Sequence, residues 1–176
     1  GRIIDKEVIE NLIQKMRDTS EIPKISEVEK TIKKENPPLP FSLSNLQIIA
    51  GKKFGYDPQK VLDTAQKLYE KKLTTYPRSD CDYLPESQFA DAPAILKNLV
   101  DIADIDLSGW AEGTNHEIKS RAWNDKKITA HHAIIPTEAI CKLDVLTEEE
   151  RNLYYLIAQA YVAQFYPIHE YEQTKI

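Results

Sequence analysis

The sequence predicts an α+β fold that is mainly α-helical, with a winged-helix-like (helix-turn-helix) middle and a small β portion near the two ends. Apolar residues recur every three or four positions in several segments, which is typical of amphipathic helices. In the middle, two such helices joined by a tight turn precede a β-prone stretch, the element order of a winged helix-turn-helix. Alternating residues at 25–32 and 169–176 predict two strands.

The first predicted helix covers residues 5–17, because its apolar residues fall on one face: Val8, Ile9, Leu12, Ile13 and Met16. Residues 25–32 alternate and place Val28 and Ile32 on one side of a half-exposed strand. The proline-rich stretch that follows forbids regular structure and marks a linker: Asn36-Pro37-Pro38-Leu39-Pro40.

The two central helices have clear start and stop signals. Ser42 or Ser44 caps the first of them, and Gly55 ends it. Asp57 caps the second, with Pro58 at its first helical position, and the helix runs to about residue 71. Leu73-Thr74-Thr75-Tyr76 is the β-prone stretch that follows.

The second half is predicted to begin with a helical stretch after Pro85, which Pro93 can break in two. Residues 101–115 are acidic and are predicted to be irregular, a strand is predicted around Trp123, and residues 126–137 form a loop. Thr147 and Glu150 form a capping box for a helix that ends near residue 165.

These elements predict two domains. Residues 38–166 form the helical winged-helix-like domain, and residues 1–37 and 167–176 are parts of a β-containing linking domain. Both ends of the chain suggest a piece cut from a longer protein.

Composition excludes some functions. The 176 residues are 41% hydrophobic and 29% charged, and no stretch approaches the ~18 apolar residues that span a bilayer. A net charge of −5 argues against a protein that binds nucleic acid by bulk charge, although the excess acid lies after residue 80. The two cysteines, Cys81 and Cys141, form no disulfide framework, so a reducing cytoplasm is expected.

One short stretch carries candidate chemistry. In an extended chain Tyr76 and Arg78 point to the same side, with Pro77 fixing the backbone between them. A tyrosine has an ordinary pKa of about 10, and a guanidinium nearby favours its charged form and can bind a phosphate through two N–H groups. Thr75 and Ser79 add hydroxyls that can bond phosphate oxygens. On physical grounds alone, a tyrosine packed on a strand beside a surface arginine is the favoured reading.

The particular residues of this stretch favour a catalytic role for Tyr76 instead. Thr75-Tyr76-Pro77-Arg78-Ser79-Asp80 resembles the active-site signature of type IA DNA topoisomerases, and so do three flanking stretches in the order the family has them. These are Pro37-Pro38-Leu39-Pro40-Phe41 with Leu46-Gln47, Ala65-Gln66-Lys67-Leu68-Tyr69-Glu70, and Ala130-His131-His132-Ala133-Ile134-Ile135-Pro136-Thr137. The resemblance covers about 130 of the 176 residues.

The resemblance implies roles for single residues. Tyr76 would be the nucleophile, Arg78 would stabilise the scissile phosphate, and His131 would help to bind that phosphate. His132 is placed with Thr75 and Ser79 among the DNA-binding candidates, with a structural role as its alternative. The residues at positions that separate the branches favour topoisomerase III over bacterial topoisomerase I: Pro77, Ser79, His132 and Ile135.

The family also implies substrate, cofactor and partners. The whole enzyme would break and rejoin single-stranded DNA through a 5′-phosphotyrosine, without ATP. Magnesium would be held by a Toprim domain, which nothing in this sequence resembles, so no cofactor is expected in this fragment. The fragment alone is expected to be inactive. Its expected partners are single-stranded DNA and the Toprim and gate domains of the whole enzyme, and no membrane is expected to be involved.

Two other classes stay open, a non-catalytic winged-helix module and a rolling-circle nickase. The nickase is disfavoured because His131-His132-Ala133 lacks the spacing of its two metal-binding histidines. No metal site is predicted, and the acidic residues 101, 104 and 106 are taken as a solvated loop. Trp123 is expected to pack in the core rather than to stack on a base, and His116 and His169 to lie at the surface.

Overall fold

A computed structural model describes residues 5–18, 25–102 and 104–176. The chain divides into two compact units, residues 1–33 with 170–176 and residues 34–169. The predicted mainly helical chain with a small β portion is confirmed. Within the described part, no helix combines the length and the apolar character needed to cross a bilayer.

The smaller unit contains an amphipathic helix and most of a two-stranded sheet. Helix α1 spans Lys6–Asp18, as predicted, and none of its residues is buried. Strands β1 (Glu29–Glu35) and β2 (His169–Lys175) pair with each other, and Lys30 Nζ lies 2.9 Å from Glu172 Oε1. The expected strand at 25–32 therefore begins four residues late, because polar residues on both of its faces specify its position weakly.

The larger unit begins with the two central helices that the sequence predicts. Helix α2 spans Leu43–Phe54, Ser42 caps it by accepting from the Asn45 N–H, and Gly55 ends it in the left-handed conformation at φ 71°. Helix α3 spans Pro58–Glu70, and the Asp57 carboxylate accepts from the Lys60 N–H at 2.9 Å. Local capping chemistry therefore sets three of the four ends.

The next helices separate at Pro93, as the sequence allows. A 3₁₀ helix covers Glu86–Asp91, and α4 covers Ala92–Val100 with Pro93 in its first turn. The predicted irregular segment 101–115 is wrong, because α5 spans Ile105–Glu112. Asp104 caps α5 by accepting from the N–H groups of residues 106 and 107, so this acidic residue serves the helix rather than a solvated loop.

Helix α6 spans Glu148–Val162 and forms the centre of the larger unit. Its predicted capping box is present, with the Thr147 side chain accepting from the Glu150 N–H and the Glu150 carboxylate accepting from the Thr147 N–H. Nine of its residues are buried, and α2, α3 and α5 pack against it. The expected core position of Trp123 is confirmed, since it packs among Phe89, Tyr161 and Phe165 at ring distances of 5.1 to 6.3 Å.

Outside β1 and β2, isolated bridges join Phe41 to Ile134, Thr74 to Pro136, and Leu84 to Trp123. The strand predicted around Trp123 is therefore one bridge. The winged-helix detail stays a prediction.

Candidate active site

The site is built on the C-terminal end of α3, where the chain reverses direction. The Lys72 N–H donates to the Tyr69 carbonyl at 2.8 Å, and the Leu73 N–H donates to the Leu68 carbonyl at 2.9 Å. This pair of bonds closes a helix when the residue after the cap is left-handed, and Lys72 has φ 63°. A lysine in this conformation is strained by roughly 1 kcal/mol. The strain is stored four residues before Tyr76.

The chain that leaves this turn pairs with the second predicted signature. The Thr75 N–H donates to the Ile135 carbonyl at 2.9 Å, and the Thr137 N–H donates to the Leu73 carbonyl at 3.1 Å. On the other side, the Ile134 N–H donates to the Phe41 carbonyl at 2.7 Å. Two loops about 60 residues apart in sequence are thereby held side by side.

The Thr75 hydroxyl ties these two loops together a second time. It donates to the Ala133 carbonyl at 3.2 Å and accepts from the Ile135 N–H at 3.0 Å. The hydroxyl therefore uses its one donor and one of its two acceptor sites inside the protein. A DNA contact by Thr75 stays a prediction. The hydrogen bonds seen in the structure hold the two loops together.

The pairing brings the rings of Tyr76 and His131 together. Their centroids are 4.5 Å apart with planes inclined by 37°. Tyr76 is 37% exposed and His131 is also exposed, so both rings are accessible from solvent. A second ring, Tyr69, meets Tyr76 edge to face with centroids 5.9 Å apart.

Pro77 and Arg78 form a turn, so the backbone beyond Tyr76 is not the extended chain that the sequence suggests. Proline fixes the φ angle that the first corner of a turn requires. Arg78 is exposed, and within residues 5–18, 25–102 and 104–176 it forms no hydrogen bond or ion pair. Its guanidinium is therefore available to an anion that approaches the turn.

Ser79 is only 1% exposed and fixes the end of the turn. Its hydroxyl accepts from the Cys81 N–H at 3.2 Å, and its carbonyl accepts from the Leu43 N–H at 2.8 Å. The bond to Leu43 joins the turn to the first turn of α2. A DNA contact by Ser79 stays a prediction.

Two carboxylates that sequence reasoning passed over also fix this turn. Asp82 accepts from the Ser42 N–H at 2.7 Å and from the Asn45 amide at 2.9 Å. Asp80 accepts from the Thr129 hydroxyl at 3.0 Å, just before the loop that carries His131. Their short polar side chains beside a turn were the available signal.

His132 faces inward while His131 faces solvent, as adjacent residues of an extended chain do. Its Nδ1 lies 2.8 Å from the Ala133 carbonyl and its Nε2 lies 3.2 Å from the amide nitrogen of Gln88. The proton is therefore assigned to Nδ1, and Nε2 accepts from Gln88. These contacts support the structural alternative, and DNA binding by His132 stays a prediction.

A groove of about 550 Å³ lies beside Tyr69 and the residues that precede Tyr76. It is lined by the end of α3 and by the two paired loops, including Tyr69, Lys72, Thr75 and Thr137.

Several buried groups of the larger unit have shifted pKa values. Burial raises the pKa of the Cys141 thiol to about 11, and burial likewise raises the pKa of Tyr154. Both cysteines are free and buried, so neither is a reactive thiol. No group of three or more histidine, cysteine or acidic residues that could hold a metal ion occurs in the described part of the chain.

Comparison with known proteins gives a consistent answer. A family model described as DNA topoisomerase matches residues 1–176. A DNA topoisomerase 3 of Haemophilus influenzae is 45% identical over 100% of this chain and 27% of its own length. A DNA topoisomerase 3 of Bacillus subtilis is 35% identical over 99% of this chain and 24% of its own length.

The fold has a counterpart among solved structures. Full-length topoisomerase I from Thermotoga maritima matches with a TM-score of 0.65 at 24% identity, over 98% of this chain and 27% of that one. At this identity the likeness concerns the fold alone. The chain thus spans about a quarter of the length of the relatives it matches.

Proposed function

The chain belongs to the DNA topoisomerase family, with relatives named DNA topoisomerase 3, and on that premise we propose that it supplies the nucleophile of a type IA enzyme. Tyr76 attacks a phosphodiester of single-stranded DNA. Its phenol oxygen forms a bond to phosphorus, the bond to the 3′ oxygen breaks, and the 5′ phosphate stays on the tyrosine. The phenol gives up its proton to solvent as the bond forms, and the 3′ oxygen takes up one proton and leaves as a hydroxyl.

One observation carries the proposal. Tyr76 and His131 come from separate loops, yet their rings lie 4.5 Å apart on an accessible surface. A phosphate placed at the Tyr76 hydroxyl is then within reach of an imidazole that can donate a hydrogen bond to it. The loops are joined by backbone and Thr75 bonds, so this arrangement exists before DNA arrives.

Arg78 completes the set of groups that this chain offers to the phosphate. Its exposed guanidinium follows Tyr76 by two residues and is free to bind two phosphate oxygens. Charge that builds on those oxygens in the transition state is then partly neutralised. Because the phosphotyrosine ester conserves the energy of the broken bond, the 3′ hydroxyl can reverse the step without ATP.

Other parts of the parent enzyme must contribute. Magnesium would be held by a Toprim domain elsewhere in the parent enzyme; the described part of this chain has no group of three or more potential metal ligands. The net charge of −5 gives this chain little general attraction for DNA, so the other domains would supply most phosphate contacts. We therefore infer that the fragment alone does not cleave DNA. Two free thiols fit a cytoplasmic enzyme.

The test compares the full-length parent with its Tyr76→Phe variant on single-stranded DNA with magnesium. The oligonucleotide carries a different label at each end, and denaturing gels identify the piece that stays on the protein. We expect the wild type alone to retain the downstream piece, which bears the 5′ phosphate.

Retention of the upstream piece would mean the opposite polarity and another class of tyrosine enzyme. Equal trapping by Tyr76→Phe, or no trapping by either protein, would remove Tyr76 as the nucleophile and favour a binding module.

A further inference from the structure

Two rings contact Tyr76, and the contact with Tyr69 has no role in the proposed reaction so far. The His131 ring lies 4.5 Å from the Tyr76 ring, and the Tyr69 ring meets the Tyr76 ring edge to face at 5.9 Å with planes at 86°. Tyr69 belongs to the last turn of α3 and is 41% exposed, so its ring is not needed to fill the core.

An exposed tyrosine on an irregular loop is free to rotate about both of its side-chain bonds. Most of the resulting rotamers would carry the phenol oxygen away from a phosphate bound at Arg78 and His131. An edge-to-face ring contact is strong enough to favour one rotamer by about 2- to 10-fold. Because Tyr69 projects from a helix, this contact is more fixed than a contact between two loops.

The backbone explains why the two tyrosines meet. The Tyr69 carbonyl accepts from the Lys72 N–H at 2.8 Å, and the left-handed Lys72 then sends the chain back along the helix end. Tyr76 follows Tyr69 by seven residues, and its ring lies against the ring of Tyr69, whose carbonyl closes this turn.

We propose that Tyr69 is a positioning residue for the reaction of Tyr76, holding the phenol in its attacking rotamer through the edge-to-face ring contact. This inference rests on the proposed function. The ring and not the hydroxyl of Tyr69 acts, because the contact is between rings and no hydrogen bond of the Tyr69 hydroxyl occurs in the described part of the chain.

The kinetic test uses the full-length parent with Tyr69→Leu, Tyr69→Phe and the control Tyr171→Leu, which removes a tyrosine of similar exposure on β2. Single-turnover formation of the covalent adduct is measured at saturating single-stranded DNA. We expect Tyr69→Leu to be slower by about 10-fold, and Tyr69→Phe and Tyr171→Leu to stay within about 2-fold of wild type.

Affinity is measured separately, by adding Tyr76→Phe to each variant so that no cleavage occurs. An unchanged Kd for single-stranded DNA supports positioning. The inference is overturned if Tyr69→Leu reacts as fast as wild type, if Tyr69→Phe is as slow as Tyr69→Leu, or if the Kd rises by the same factor as the rate falls.

A spectroscopic test needs no activity. The 176-residue chain is labelled with fluorotyrosine, and the Tyr76 signal is identified by its loss in Tyr76→Phe. We expect Tyr69→Leu to move that signal towards the position of an exposed tyrosine, and Tyr171→Leu to leave it in place. An unmoved signal in Tyr69→Leu contradicts the inference.

The two proposals fail in different ways. If Tyr76→Phe still traps DNA, the proposed function fails whatever Tyr69 does. If Tyr76→Phe is inactive and Tyr69→Leu behaves as wild type, the positioning role alone fails.

Discussion

The two compact units differ in how their apolar residues are used. Helix α1 of the smaller unit has no buried residue, and its apolar side chains are 39 to 76% exposed. In the larger unit, α6 alone buries nine residues, and Leu153, Ile157 and Tyr161 are fully inaccessible. Because burial is the main source of stability, the larger unit accounts for most of the folding free energy of this chain. The candidate site lies on that unit.

The largest expected effect tests this contrast with one residue type. Ile157→Ala should lower the free energy of unfolding by about 3 kcal/mol, because it leaves a cavity in the core, whereas Ile13→Ala on α1 should change it by less than about 0.5 kcal/mol. Urea unfolding followed by circular dichroism measures both. Equal losses would mean that α1 shares the core's stability.

A smaller effect is expected where the site is joined to the core. Thr75→Val keeps the shape of the side chain but removes both bonds of the hydroxyl, so it should cost about 2 kcal/mol. Thr174→Val on exposed β2 is the matched control and should cost less than about 0.5 kcal/mol. A full-length Thr75→Val enzyme should also form less covalent adduct. Unchanged stability and cleavage would show that the loops are held without this hydroxyl.

The third prediction concerns pH. Burial would raise the pKa of the Glu150 carboxyl, but hydrogen bonds from Lys71 at 2.7 Å and from the Thr147 N–H outweigh it and hold the pKa below its usual value. The unfolded chain then takes up the proton first, so the stabilisation is present above about pH 4.5 and is lost as the pH falls further.

Glu150→Gln should therefore lower stability by about 1 kcal/mol at pH 7 and flatten the loss of stability between pH 5 and pH 3. Glu172→Gln, whose ion pair with Lys30 is exposed, should leave that slope unchanged. Thermal unfolding of wild type and both variants between pH 5 and pH 3 measures how steeply stability falls with pH. A slope that stays the same in Glu150→Gln would contradict the assignment.

The smallest effect has the opposite sign. Lys72→Gly relieves a left-handed residue at φ 63° and should stabilise the larger unit by about 0.5 kcal/mol after the greater freedom of the unfolded glycine is counted. Lys53→Gly, inside the last turn of α2, should destabilise it by about 1 kcal/mol. If both variants lose stability, Lys72 is not strained.

Features fixed by neighbouring residues could be predicted from the sequence. Ser42, Asp57 and Thr147 each cap a helix within three residues of themselves; the Asp57 and Thr147 caps were predicted outright, and Ser42 was one of two candidates. The prediction that the segment around Asp104 is irregular was wrong, because aspartate suits both a helix cap and a solvated loop.

The candidate site divides in the same way. Tyr76 and Arg78 stand in one short motif, whereas His131 could be tied to them only through a family resemblance. Tyr69 was missed because its contact needs a chain reversal at Lys72, and a lysine gives no sign of the left-handed conformation that a glycine such as Gly55 would.

The two hydrogen bonds of the Thr75 hydroxyl have a mechanical consequence. This hydroxyl is hydrogen-bonded to the backbone of the residues on both sides of Ile134. The loop of Tyr76 and the loop of His131 therefore cannot move past each other without breaking these hydrogen bonds. Under the proposed function, an opening of the parent enzyme that keeps these two hydrogen bonds would move Tyr76, His131 and the attached DNA end together. The broken strand would return to its partner end with the geometry of resealing already in place.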